Sequence, residues 1–294
     1  MTRTPHRQLG ETPVFPIGLG CMPLSVPGRP DEKQALRTIH AALDAGVNLL
    51  DTADAYSFGE GDMGVGERLI ARALRDVPAA DRPLVATKAG HTRPGGRWEL
   101  DGRREYLRAA CEASLRALET DRIDLLQLHR PDPDTPFAES VGALAELRDE
   151  GKIRHVGLSN VTVAQLEEAE AIVEIAAVQN ELSLEYVEPI GKGEVAACAE
   201  RGIPLLAWSP LGGASGAAEA GSDMPALRRV AAERGVSRQR VALAWLLSLS
   251  PTVLPIPGSR RPETILDSVA AVELELSAEE LEAIGGGPLT SRGG

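Results

Sequence analysis

Eight short apolar runs punctuate the chain, at residues 14–20, 47–51, 83–87, 123–128, 153–158, 176–179, 203–208 and 253–256. Each is four to seven residues long and bounded by turn residues or charges, the pattern of strands buried on both faces of a parallel sheet. Between them lie stretches with helical period. Residues 31–45 open on Asp31 as an N-cap and stop at Gly46. Residues 103–119 place Leu107, Ala110, Cys111, Ser114, Leu115 and Leu118 at spacings of three and four, so one face is mostly apolar. Residues 136–150 repeat this and end at Gly151, a C′ glycine. Segments 162–170, 189–200, 223–249 (broken near Gly235 into two helices) and 262–271 complete the alternation.

Strands alternating with helices along the whole chain predict an α/β fold with a parallel sheet. Two architectures compete. A doubly wound sheet that binds a dinucleotide carries GxGxxG after its first strand, and Gly18-Leu19-Gly20 supplies only the first part of it. The reading is therefore a closed (β/α)8 TIM barrel, one domain over residues 1–294. Residues 4–10 are expected to form a short hairpin with the first strand, closing the barrel bottom. The Gly- and Ala-rich residues 212–221 read as a mobile loop.

Composition narrows the function classes. Hydrophobic residues are 43% and charged residues 25%, as in an ordinary soluble globular protein. A net charge of -12 argues against nucleic acid, whose phosphates demand Lys and Arg. A local anion pocket is still compatible with it. Cys21, Cys111 and Cys198 form no CxxC, and three free thiols suit a reducing compartment. The first ten residues lack an apolar signal-peptide core, and no run of about 18 apolar residues spans a membrane. A cytoplasmic protein with no membrane partner is expected. A metal-dependent hydrolase would need clustered ligands such as His-x-His at the first strand; the chain has no such pair, and no metal is expected.

In a (β/α)8 barrel the chemistry sits at the C-terminal ends of the strands. Asp51 closes the second run, Lys88 follows the third and His129 the fourth, so three ionisable groups converge on one rim. Tyr56 lies five residues past Asp51 in the following loop. Singly, each has an ordinary structural role: a turn former, a solvated cation, a hydrogen-bonded imidazole, a packed ring. Jointly they suit carbonyl reduction. Hydride addition leaves an alkoxide that needs a proton. A tyrosine hydroxyl, with an ordinary pKa of about 10, becomes a better acid beside an ammonium. Lys88 supplies that ammonium, Asp51 holds it, and His129 can bond the carbonyl oxygen.

Leu50-Asp51-Thr52-Ala53-Asp54-Ala55-Tyr56, Ala86-Thr87-Lys88, the segment from Asp124 to His129, and Val156-Gly157-Leu158-Ser159-Asn160 resemble motifs of the aldo-keto reductases. So do Gly18-Leu19-Gly20, Gln179-Asn180, Trp208-Ser209-Pro210-Leu211 and Ile256-Pro257-Gly258-Ser259, in the family's order across nearly the whole chain. The resemblance implies a catalytic tetrad of Asp51, Tyr56, Lys88 and His129. It also implies NADPH bound extended, without a Rossmann fold, and a small-molecule carbonyl substrate. Ser159, Asn160 and Gln179 would bond the nicotinamide carboxamide. Trp208 either stacks beneath the ring or packs in the core. Ser209, Leu211 and Gly212 would follow the pyrophosphate, and Gly20, Gly258 and Ser259 would also contact the cofactor. Arg260 and Arg261 either clamp the 2′-phosphate or are solvated. Thr264 stands where the family often has Arg, and Asp267 is close by, so NADH is the alternative cofactor. Substrate-pocket candidates are Met22, Phe58 and Trp98, the last in a loop over residues 89–102 that either covers the pocket or faces solvent. The resemblance leaves one other function open: a cofactor-binding, redox-sensing protein with little turnover.

Overall fold

The computed structural model describes residues 6–213 and 220–285. It begins with an antiparallel hairpin, β1 (Arg7–Leu9) and β2 (Thr12–Val14), turned at Gly10, whose φ of 54° is left-handed. The parallel strands are β3 (Leu19–Gly20), β4 (Leu49–Asp51), β5 (Leu84–Ala89), then, beyond a small hairpin β6 (His91–Thr92) and β7 (Glu99–Leu100), β8 (Ile123–Leu128), β9 (Ile153–Ser159), β10 (Ile175–Glu181), β11 (Leu205–Trp208) and β12 (Val253–Pro255). The eight lie side by side in chain order. The ring closes between β3 and β12: Gly18 N donates to Pro255 O and Gly20 N to Pro257 O, each at 3.0 Å, and Gly20 bridges Gly258 in parallel. Two prolines are tolerated at this seam because only their carbonyls are used there. Gly20 is required there, since a Cβ would stand 2.7 Å from Ile256 O. The (β/α)8 barrel expected from the sequence is thus the fold.

Side chains alternate along each strand. Leu49, Leu84, Ala86, Leu125, Ala177, Leu206 and Leu254 face one another inside the barrel, and Leu9 and Val14 of the hairpin pack into the same cluster. Their neighbours Leu50, Val85, Leu126, Val156, Val178, Leu205 and Val253 belong to the larger outer layer, shared with the helices. The hairpin plugs the bottom, as expected, and Arg7 fixes it by donating to Val253 O (3.2 Å) and Leu247 O (3.1 Å). The strand expected at 14–20 is corrected: Val14 belongs to the hairpin, and the barrel strand is two residues long because the chain must turn between the two.

The helices are α1 (Glu32–Asp44), α2 (Val65–Ala73), α3 (Arg104–Leu118), α4 (Phe137–Asp149), α5 (Val163–Glu170), α6 (Glu188–Gly191), α7 (Glu194–Arg201), α8 (Pro225–Arg234), α9 (Arg238–Leu249), α10 (Pro262–Val269) and α11 (Ala278–Gly285). The break near Gly235 is present: that residue has φ 64°, and Ser237 caps α9 by accepting from Arg240 N at 2.9 Å. α2 and α11 were not foreseen. Among the described residues no helix is long and apolar enough to cross a membrane. The loop expected over 212–221 falls largely outside the described residues, as do residues 4 and 5 of the expected hairpin.

Candidate active site

Strand parity builds the site. Asp51, Lys88, Gln127 and Gln179 stand one layer above the apolar inner cluster, on β4, β5, β8 and β10. Lys88 is wholly buried. Its Nζ donates to Asp51 Oδ1 at 2.9 Å, Asp51 Oδ2 at 2.7 Å and Thr52 O at 2.8 Å. Gln179 Nε2 donates to Asp51 Oδ1 at 2.8 Å, and Gln127 Nε2 reaches the same oxygen at 3.4 Å. Gln127 fits because its neighbour across the ladder is Gly157, where a Cβ would lie 2.8 Å from Gln127 Cγ. Tyr56, in the loop after β4, sits with its ring centroid 5.0 Å from Lys88 Nζ. His129, just past β8, meets that ring edge-on at 5.5 Å. The structure brings all four predicted residues together.

Burial and charge set their protonation. Burial opposes the Lys88 charge, yet Asp51 and Tyr56 together outweigh it and hold the lysine pKa above its ordinary value. Burial pushes Tyr56 up, and Lys88 pulls it partly back. The ammonium therefore acts in the direction expected from the sequence, against a larger effect of desolvation. Burial, reinforced by Lys88, holds His129 well below the ordinary histidine value, so its imidazole is neutral. Its Nδ1 is enclosed without a hydrogen-bond partner. Behind this layer lies a second carboxyl pair. Glu67 of α2 accepts from Thr87 Oγ1 at 2.6 Å, whereas neither Asp54 oxygen has a side-chain or backbone donor. Burial raises both carboxyl pKa values, and Glu67 raises Asp54 further.

A cavity of about 910 Å³ opens on the rim and runs from Tyr56 and His129 to the start of α10. Gly20, Ser159, Asn160, Gln179, Trp208, Ser209, Leu211, Gly258, Ser259, Arg260 and Arg261 line it, as do Met22 and Trp98. Two non-glycine residues on its wall are left-handed, Asn160 at φ 59° and Ser209 at φ 48°, an uncommon conformation that gathers at ligand sites. Asn160 is held by donating to His129 O (3.0 Å) and Ser159 Oγ (2.9 Å). Gln179 is committed to Asp51 by its amide nitrogen, so its part in a carboxamide site is limited to its oxygen. Trp208 Nε1 is buried without a partner. Amides and a hydroxyl at one end, small residues in the middle and two guanidiniums at the other suit an extended phosphorylated molecule such as a nicotinamide dinucleotide. Arg260 Nε leans on Pro23 O at 3.4 Å, and Ser259 Oγ bonds Arg261 O at 2.8 Å.

Two predicted residues are not on this wall. Phe58 points to solvent, half exposed, because Arg29 stacks over it at 4.2 Å and is itself tied to Asp62 at 2.8 Å. Gly212 closes a turn by donating to Ser209 O at 3.0 Å, and Gly213 lines the cavity instead. Conversely, Arg130 and Gln239 line it and were not placed there from sequence, while Thr264 lies in the expected 2′-phosphate region and His91 in the 89–102 loop. His91 and Trp98 come from the β6–β7 hairpin, and His91 meets His129 edge-on at 4.4 Å. Strand alternation through Leu125, Gln127 and His129 could have disclosed Gln127. Nothing in the local sequence marks the hairpin.

The model of the Aldo/keto reductase family matches residues 16–286. A 6-dehydroglucose reductase of Novosphingobium aromaticivorans is 35% identical over 288 residues, covering 95% of this chain and 93% of that protein. Among solved structures, the glycerol dehydrogenase of Gluconobacter oxydans superposes with a TM-score of 0.82 at 28% identity, over 97% of this chain and 94% of that one. An aldo-keto reductase of Klebsiella pneumoniae in complex with NADPH gives a TM-score of 0.80 at 27% identity, covering 98% and 97%. The chain therefore belongs to the aldo/keto reductase family and is an oxidoreductase by class.

Proposed function

We propose that this protein reduces an aldehyde or ketone to an alcohol with NADPH, with Tyr56 as the proton donor. One observation carries the reading: a buried Asp51–Lys88 pair directly beneath a tyrosine that opens on the cavity. When held in this cavity, NADPH supplies a hydride to the carbonyl carbon. Tyr56 gives its hydroxyl proton to the carbonyl oxygen, which completes the alcohol. Lys88 stabilises the phenolate left behind. Asp51, fixed by Gln179, keeps Lys88 charged and aimed. Neutral His129 donates a hydrogen bond to the carbonyl oxygen and adds no positive charge that would compete with Lys88. These dipoles stand in place before charge develops, where most of the catalytic gain usually lies.

Ser159, Asn160 and the Gln179 oxygen suit the carboxamide end of the cofactor, and Trp208 the ring. Ser209, Leu211 and Gly213 suit the pyrophosphate, and Arg260 and Arg261 the 2′-phosphate. Asp267, which would repel that phosphate, is paired with Arg240 at 2.6 Å, which supports NADPH over NADH. The Klebsiella relative's complex with NADPH points the same way. The test is absorbance at 340 nm with NADPH, and separately NADH, across aldehydes, ketones and quinones. Turnover with NADPH supports the assignment. Tight NADPH binding without turnover on any compound would instead favour a cofactor-sensing protein.

A further inference from the structure

The reductase reading leaves the substrate open, and the charges around the rim narrow it. At the end of the cavity where the carbonyl would react, Lys88 is neutralised by Asp51. Burial keeps both His91 and His129 below the ordinary histidine value, so neither is a cation at neutral pH. What remains is Arg130. It follows His129 directly, lines the cavity and is exposed to it. Among the described residues its guanidinium has no carboxylate within ion-pair distance and no hydrogen-bond acceptor. The carboxyl whose field reaches it is Glu181, at the end of β10, whose pKa burial raises and Arg130 lowers. In a chain with a net charge of -12, Arg130 thus lines the cavity next to His129 with no ion-pair partner among the described residues.

Beside His129 the cavity wall is aromatic. Trp98 stands edge-on to Tyr56 at 6.3 Å and to His129 at 6.5 Å. It is held by the buried Arg93, whose guanidinium lies 3.9 Å over its ring. Trp98 and Tyr56 touch edge to face and form one continuous aromatic surface, past which a molecule bound at the tyrosine reaches Arg130 on the same cavity wall. We propose that Arg130 selects substrates that carry a carboxylate a few bonds from the carbonyl group. A planar carboxylate takes a guanidinium bidentately, which fixes the orientation as well as the affinity. This inference rests on the reductase reading and deepens it.

The test compares pairs that differ by carboxylate against methyl: 4-formylbenzoate with 4-methylbenzaldehyde, and 4-oxobutanoate with butanal. Wild-type protein is expected to favour the carboxylate in each pair by about tenfold in kcat/KM, mostly through KM, for a charge-assisted bond at a partly solvated site. In Arg130→Gln the ratio falls to near one, in Arg130→Lys it is intermediate, and in Arg130→Glu it drops below one. A wild-type ratio near one, or a preference that survives Arg130→Gln, overturns the role of Arg130 while leaving the reductase reading intact. No turnover on either member of either pair overturns both.

Discussion

Asp54 lies three residues past Asp51 and shares its burial but not its partners. Asp51 is ringed by an ammonium and two amides, whereas both Asp54 oxygens are enclosed without a donor and face Glu67 across the packed base of α2. A buried carboxylate so placed is costly, so burial, reinforced by Glu67, holds the Asp54 pKa well above the usual carboxylate range. Its folded pKa lies above the unfolded value of about 3.9. Its contribution to stability is therefore complete below that value and is lost as pH rises through the folded one. Asp54→Asn, which keeps the shape and removes the titration, should raise the melting temperature more at pH 8 than at pH 5. Each kcal/mol gained corresponds to roughly 2–4 °C. Thermal unfolding at the two pH values checks it; equal shifts at both would show that Asp54 is ionised in the fold. The sequence could show where Asp51, Lys88 and His129 end their strands, because strand ends are a local matter. It could not show which carboxylate gains donors, because those arrive from residues such as Gln179, far along the chain.

The β6–β7 hairpin is the element that the sequence concealed. Its strands are two residues each, too short for an alternating pattern, and its loop carries Pro94, Gly95 and Gly96. Its order comes from one buried cation. Arg93 donates to Ala55 O at 3.1 Å, Ser57 O at 3.0 Å and Gly96 O at 2.8 Å while stacking on Trp98. Ala55 and Ser57 flank Tyr56, so the hairpin and the loop after β4 are stapled together. Arg93→Met should loosen Trp98 and raise KM for aldehydes several-fold, with NADPH affinity unchanged, because the cofactor end of the cavity is remote from it. Steady-state kinetics alongside a fluorescence titration separate the two; a parallel loss of cofactor affinity would contradict this division. The helix α2 escaped notice for a related reason. It is nine residues long and starts at Gly64 and Gly66. Gly66 is needed for close packing, since a Cβ there would lie 2.5 Å from Ser25 Oγ and 2.8 Å from Thr52 Oγ1. Glycines placed for packing read in sequence as a loop.

At the scale of the molecule, the barrel arranges one cavity with unlike ends. The rings and Lys88 lie at one end and Arg260 and Arg261 at the other, joined by residues from β9, β10 and β11. The alternation that predicted the barrel also predicted this rim, because parallel strands all present their C-terminal ends together. What the alternation could not give was the company of the two arginines. Asp267, close by in sequence, is drawn off by Arg240 on α9. Replacing Arg260 and Arg261 together with Ala should therefore weaken NADPH by tenfold or more and NADH by little, since a bidentate phosphate contact is lost. Equal losses would remove the 2′-phosphate assignment.

The central claim is that Tyr56 delivers the proton. Tyr56→Phe keeps the ring and its contacts and removes only the hydroxyl. NADPH oxidation with a good aldehyde, measured beside NADPH binding by fluorescence, tests it directly. Tyr56→Phe should lower kcat by about 10²–10⁴-fold, the usual size of general acid catalysis, and leave NADPH affinity unchanged. Turnover in Tyr56→Phe within a few-fold of wild type would contradict it.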